Sequence, residues 1–146
     1  MLLSGVGDAL GYRNQLWEFN QSGPAIHKEL QALGGLKNIS VELPDWPISD
    51  DTVLHLATAE ALATGKAGEE LLHEVAFQYV EGMKDMKGRM PGVSTIQGDS
   101  DSTAVIACCC WGLLYGMDGV PQCNYINLEY RDRLESVAQK LYALSH

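Results

Sequence analysis

"PISDDTVLHLATAEALATG", residues 47–65, decides the fold. Its head is a tight group of hydroxyls and carboxylates, Ser49, Asp50, Asp51 and Thr52. From Asp51 to Thr64, Leu54, Ala57, Ala61 and Leu62 recur at helical spacing, and Gly65 stops the run. A hydroxyl and two acids in front of such a run first describe a helix N-terminus. The serine caps open backbone donors, and the acids sit at the positive end of the helix dipole.

Helical spacing continues on both sides. From Gly68 to Met86, Leu71, Leu72, Val75, Tyr79, Val80 and Met83 form a second stripe. Upstream, Ile26, Leu30 and Leu33 mark a helix over 23–33, with Ser22 as cap, Pro24 in the first turn and Gly34 past the end. Downstream, a helix is expected over 102–116. Another is expected over 128–143, with Leu134, Val137, Ala138 and Leu141 inward and Arg131, Arg133 and Glu135 in solvent. The two prolines of "VELPDWPIS", 41–49, predict a loop. "GRMPGVSTIQG", 88–98, reads as a linker. One alternating stretch, "ISVEL" at 39–43, is a candidate short strand. The expected fold class is all-α, in a single domain over 1–146.

The chain has 146 residues and is 46% hydrophobic, enough for a core. Ten basic against nineteen acidic residues give a net charge of −9. Nucleic acid and anionic membranes both demand a basic face, so neither is an expected partner. The longest apolar stretch, 104–117, is shorter than the ~20 residues of a spanning helix. The start lacks the basic-then-apolar pattern of a secretory signal. Cys108, Cys109, Cys110 and Cys123 contain no CxxC pair and read as buried, reduced thiols. Together these features lead to an expected cytoplasmic location.

"QGDSDSTA", 97–104, is a second cluster of the same kind. Again carboxylates, Asp99 and Asp101, alternate with hydroxyls before an apolar run. Carboxylates so close repel unless a positive charge lies between them. Hard divalent cations such as Mg²⁺ take oxygen ligands, so four aspartates from two helix ends could hold one or two ions. A calcium loop starting at Asp99 fails, because Ala104 and Cys110 stand where Gly and Glu are needed. The clusters can meet. A helix over 53–64 travels about 18 Å and one over 68–87 returns about 30 Å. The overshoot of about 12 Å is within reach of an eleven-residue linker at ~3.3 Å per residue.

Four segments together resemble the ADP-ribosylglycohydrolase family, in its ADP-ribosylarginine hydrolase branch. They are "GVGDALGY" at 5–12, "WPISDDTVLHLATAEAL" at 46–62, "GDSDSTAVIACCCWGLLYG" at 98–116 and "LEYRDRLESVAQKLYAL" at 128–144. "SDDT" and "GDSDST", each before a helix, match the family's paired metal signature. The resemblance implies an all-α fold with a two-ion Mg²⁺ centre between helices. It implies Ser49, Asp50, Asp51, Asp99, Asp101 and Ser102 as metal ligands, with Asp50 and Asp51 as candidate bases. The implied reaction removes ADP-ribose from modified arginine on proteins by cleaving the N-glycosidic bond.

The family's chains are more than twice this length. What lies between their metal motifs is replaced here by "GRMPGVSTIQG", which puts an internal junction near 90–98. Gln97 stands where the family tends to have glycine, and Met1 falls inside what would be its first helix. A shortened domain of this kind is expected to expose apolar faces, at Leu71, Val75 and Tyr79, and so to invite aggregation or a partner. The alternative function is therefore an inactive remnant that binds metal, ADP-ribose or another protein.

"GVGDALG" is a near miss to a dinucleotide fingerprint: Leu10 replaces the third glycine and no strand precedes it. Asp8 is assigned a structural role. His27, His55, His73 and His146 show no ligand spacing. Trp17, Trp46 and Trp111 read as core or loop anchors.

Overall fold

A computed structural model of the chain describes residues 1–89, 108, 112 and 115–144. Among these residues there are five α-helices: α1 (Leu2–Tyr12), α2 (Gly23–Ala32), α3 (Asp50–Leu62), α4 (Gly68–Gly82) and α5 (Arg131–Leu144). Short 3-10 turns extend α1 and α4 and recur at Leu36–Asn38 and Gln122–Asn124. No strand occurs among the described residues, and the fold is all-α.

The first helix carries little local signal and is held by packing. α1 buries Leu3, Val6, Ala9 and Tyr12, and with Ser4, Gly5, Gly7, Asp8 and Gly11 also buried it is enclosed nearly all round. Gly5 lets it approach α5: a Cβ there would lie 2.8 Å from Leu134 Cδ1 and 3.3 Å from Leu128 Cδ2. The segment "GVGDALG" thus lies within a helix and is not a phosphate-binding turn.

α3 is the central element, packed against α1, α4 and α5. Contact from three sides explains one departure from the sequence reading. Val53, Leu56, Ala57, Ala59 and Ala61 are buried, Leu54 is half-buried and Leu62 is exposed. The single stripe of Leu54, Ala57, Ala61 and Leu62 is therefore replaced by burial around most of the helix.

α4 departs in the opposite sense, since α3 is its main partner. Leu71, Val75, Gln78 and Gly82 are half-buried, while Leu72, Phe77, Tyr79, Val80 and Met83 are exposed. The expected inward stripe is covered only along its Leu71–Val75 edge. The exposed apolar face is accordingly centred on Leu72, Val80 and Met83, and Leu71 and Val75 are not part of it. Tyr79 remains at the boundary, its hydroxyl 2.9 Å from Thr58 Oγ1.

Ser22 Oγ caps α2 by accepting from Ala25 N–H, and Pro24 sits in the first turn. Past the end, Gly34 takes φ 90° and Gly35 N–H closes onto Leu30 O at 2.9 Å. Ile26 and Leu30 are half-buried, whereas Leu33 is exposed. α5 starts at Arg131 rather than 128, because Tyr130 adopts a left-handed backbone (φ 60°). Leu134 and Val137 point into the core as expected.

The segment before α3 is irregular. Ile39 and Val41 are buried and Ser40 and Glu42 lie further out, so the alternation of 39–43 is real. It produces no strand: Val41 N–H bonds to Cys123 O at 3.1 Å, but no ladder follows. Trp46 is buried and meets Trp17 edge-on at 5.5 Å, with the Arg13 guanidinium 4.1 Å over the Trp46 ring. Cys108 and Cys123 are only half-buried and are not in a disulfide. Cys109, Cys110, Trp111 and the junction at 90–98 lie outside the described residues, as does most of the 102–116 helix. Cys108, Gly112 and Tyr115 of that stretch are helical. No helix among the described residues is long and apolar enough to cross a membrane.

Candidate functional site

α3 begins as its sequence dictates. Ser49 is extended (φ −82°, ψ 179°), and its Oγ accepts from Asp51 N–H at 3.1 Å. That cap places Asp50 and Asp51 in the first turn, where the dipole favours negative charge. Ser49 and Asp50 are buried, and Asp51 is half-buried.

Asp8 of α1 fixes the cap from below. It is fully buried, and its carboxylate receives both Ser49 donors: N–H on Oδ2 at 2.7 Å and Oγ–H on Oδ1 at 2.6 Å. Burial pushes the Asp8 carboxyl up to about 6 from 3.8, against the lowering effect of the Ser49 bonds. The Thr52 hydroxyl lies close enough to assist that lowering, yet it is buried and makes no hydrogen bond of normal geometry.

A second clamp holds the backbone of the preceding residue, Ile48. Glu129 Oε2 accepts from Ile48 N–H at 2.9 Å, and Arg89 Nη1 donates to Ile48 O. Arg89 Nη2 bonds Glu129 Oε1 at 2.9 Å, and Arg89 Nε bonds Asp85 O at 2.9 Å. Burial alone would lower the Arg89 pKa, but the Glu129 bond and the Glu129 and Asp85 charges outweigh it and raise the value. Tyr12 Oη and Gln15 Nε2 both donate to Gly88 O, fixing the approach to Arg89.

Ser49, Asp50 and Asp51 are thus brought together on one ordered helix start. Asp99, Asp101 and Ser102 lie outside the described residues. Among the described residues, no group of three or more His, Cys, Asp and Glu side chains forms a metal cluster. The donor set at α3 nevertheless fits one side of a hard-cation site. It consists of oxygen only, the Ser49 hydroxyl and the Asp50 and Asp51 carboxylates at one helix start. Sequence reading missed Arg89 and Glu129. Arg89 lies in the stretch read as linker, and no local spacing ties either residue to Ser49.

Residues 93–146 match the family model described as ADP-ribosylglycohydrolase. The chain is 45% identical over 102 residues, 68% of its length, to ADP-ribosylhydrolase ARH1 of Dictyostelium discoideum. It is 40% identical over 63 residues, 38% of its length, to L444 of Acanthamoeba polyphaga mimivirus, a protein assigned as an ADP-ribosyl glycohydrolase. The chain spans 26% and 12% of those relatives' own lengths. With its all-α architecture and the motif-bearing start of α3, the chain belongs to the ADP-ribosylglycohydrolase family.

Proposed function

We propose that the chain acts in Mg²⁺-dependent hydrolysis of the N-glycosidic bond of ADP-ribosylated arginine, releasing ADP-ribose from modified proteins. The observation that carries this reading is the buried, doubly clamped Ser49–Asp50–Asp51 helix start in a chain of this family. Two ions would be held by Ser49, Asp50 and Asp51 together with Asp99, Asp101 and Ser102. When bound, they would supply charge that orients the ribose hydroxyls and lowers the pKa of a water molecule.

The chain's own residues have separable tasks. Ser49 Oγ donates to Asp8 and accepts from Asp51 N–H, which fixes where its remaining lone pair points. Asp50 and Asp51 are the candidate carboxylates to take the water's proton as the bond to the guanidine breaks. The net charge of −9 argues against nucleic acid and anionic membranes as partners. A cytoplasmic site of action agrees with the half-buried thiols of Cys108 and Cys123.

The test is release of ADP-ribose from ADP-ribosyl-arginine with and without Mg²⁺, with circular dichroism confirming the fold. Turnover that requires Mg²⁺ and is lost in Asp51→Asn supports the reading. A folded chain without turnover rejects it. A second reading, a non-enzymatic module that binds metal, ADP-ribose or another protein, is favoured by the exposed apolar face of α4 at Leu72, Val80 and Met83. It predicts Mg²⁺ or ADP-ribose binding without hydrolysis.

A further inference from the structure

We infer that Arg89 and Glu129 are a positioning pair for the metal-ligating start of α3, acting through the backbone of Ile48. The inference rests on the reading of Ser49, Asp50 and Asp51 as metal ligands.

Ile48 is fully buried and lies outside any helix, so its N–H and C=O need partners that no regular ladder supplies. Glu129 takes the N–H, Arg89 takes the C=O, and the two side chains bond each other at 2.9 Å. The result is a closed ring of hydrogen bonds around one residue, joining the peptide groups on either side of Ile48. Arg89 is itself immobilised: Nε reaches Asp85 O at 2.9 Å, and Nη2 lies 3.3 Å from Asp85 Oδ2. All three guanidinium nitrogens are therefore engaged, a geometry that a lysine ammonium cannot reproduce.

The location gives the ring its consequence. Ile48 is bonded covalently to Ser49, whose own N–H and Oγ go to Asp8. Side chains from α1, from beyond α4 and from just before α5 thus converge on two consecutive residues. Those residues set the direction in which α3 starts, and with it the placement of Asp50 and Asp51. A buried ion pair is often no more stabilising than apolar residues of the same volume. Its value here is orientation: ligands held by outer partners bind metal more tightly, and loss of such a partner commonly costs 10–100-fold in affinity.

The test is Mg²⁺ titration calorimetry on the whole chain, with unfolding curves recorded with and without Mg²⁺. Glu129→Gln keeps the side-chain shape but turns an amide donor towards Arg89. It is expected to weaken Mg²⁺ binding about 10-fold or more while the circular dichroism spectrum is unchanged. Arg89→Lys keeps the charge and loses the fork; it is expected to weaken binding too, but less than Arg89→Met. Arg133→Met, which removes the distant exposed bridge to Glu60, is the control and leaves Mg²⁺ affinity within twofold. If the wild type binds Mg²⁺ and all three clamp variants bind equally well, with only a lower unfolding midpoint, the pair is structural and this inference alone falls. If all three fail to fold, the pair is likewise structural. If the wild type binds no Mg²⁺, the ligand reading falls and the inference with it.

Discussion

Asp8 receives both hydrogen-bond donors of Ser49, at 2.7 and 2.6 Å, across 41 residues of chain. The pair ties the first helix to the start of the third and makes the serine cap part of the core. Asp8→Ala leaves a buried N–H and a buried hydroxyl without their acceptor. The expected cost is about 1–3 kcal/mol for the unsatisfied donors, read as a lower urea midpoint at unchanged slope.

The same carboxylate gives a pH signature. Its folded pKa is raised to about 6 from 3.8. Between those values the folded chain holds a proton that the unfolded chain has released. The stabilisation is therefore fully present below about pH 4 and is lost as pH rises through about 6. Its size is about 3 kcal/mol, from about 1.4 kcal/mol per pH unit. Urea unfolding without divalent ions should show wild type losing stability relative to Asp8→Asn between pH 4 and pH 7. Parallel curves for the two proteins would remove Asp8 as the source.

Core and surface leucines should separate cleanly. Leu134 is buried against Gly5, so Leu134→Ala is expected to cost about 2–5 kcal/mol. Leu72 is exposed on α4, and Leu72→Ala should stay within about 0.5 kcal/mol. Thermal unfolding ranks the two directly. Leu72→Lys with Val80→Lys should also reduce light scattering at high protein concentration, because the pair interrupts the apolar face of α4.

What was legible in the chain follows the distance over which each signal acts. Ser22 and Ser49 cap their helices because capping is a contact within three residues, and the sequence displays it. Gly34 and Gly65 end helices through their own backbone freedom, at φ 90° and 71°. The burial of α3 is not legible in its own spacing because Val53 and Leu56 face partners that arrive from distant segments. The stripe on α4 exceeds what is covered for the opposite reason, since nothing in a local pattern says how many sides will be covered. Ile39 and Val41 alternate as strand residues do, yet a strand also needs a partner. The clamp on Ile48 joins positions 40 and 81 residues apart, beyond any motif spacing. The structural role expected of Asp8 takes the form of holding Ser49.

The sharpest prediction concerns the union of the two acidic clusters. If Asp51 and Asp99 serve one shared centre, removing either breaks the same set of metal bonds. Asp51→Asn and Asp99→Asn should then each weaken Mg²⁺ binding more than 10-fold, and the double variant should add far less than the sum of the two losses. Separate sites behave differently. Each substitution would remove its own binding event in calorimetry and leave the other intact, so the losses would add. The cycle needs no assumption about catalysis, because its readout is binding of the ion alone. Circular dichroism and unfolding midpoints for all four proteins guard against loss of fold, since Asp51 lies in the first turn of α3, where its negative charge favours the helix. Additive effects, with two independent binding isotherms, would mean two separate sites and overturn the shared centre; no loss of Mg²⁺ binding in Asp51→Asn would leave the start of α3 as a helix cap alone.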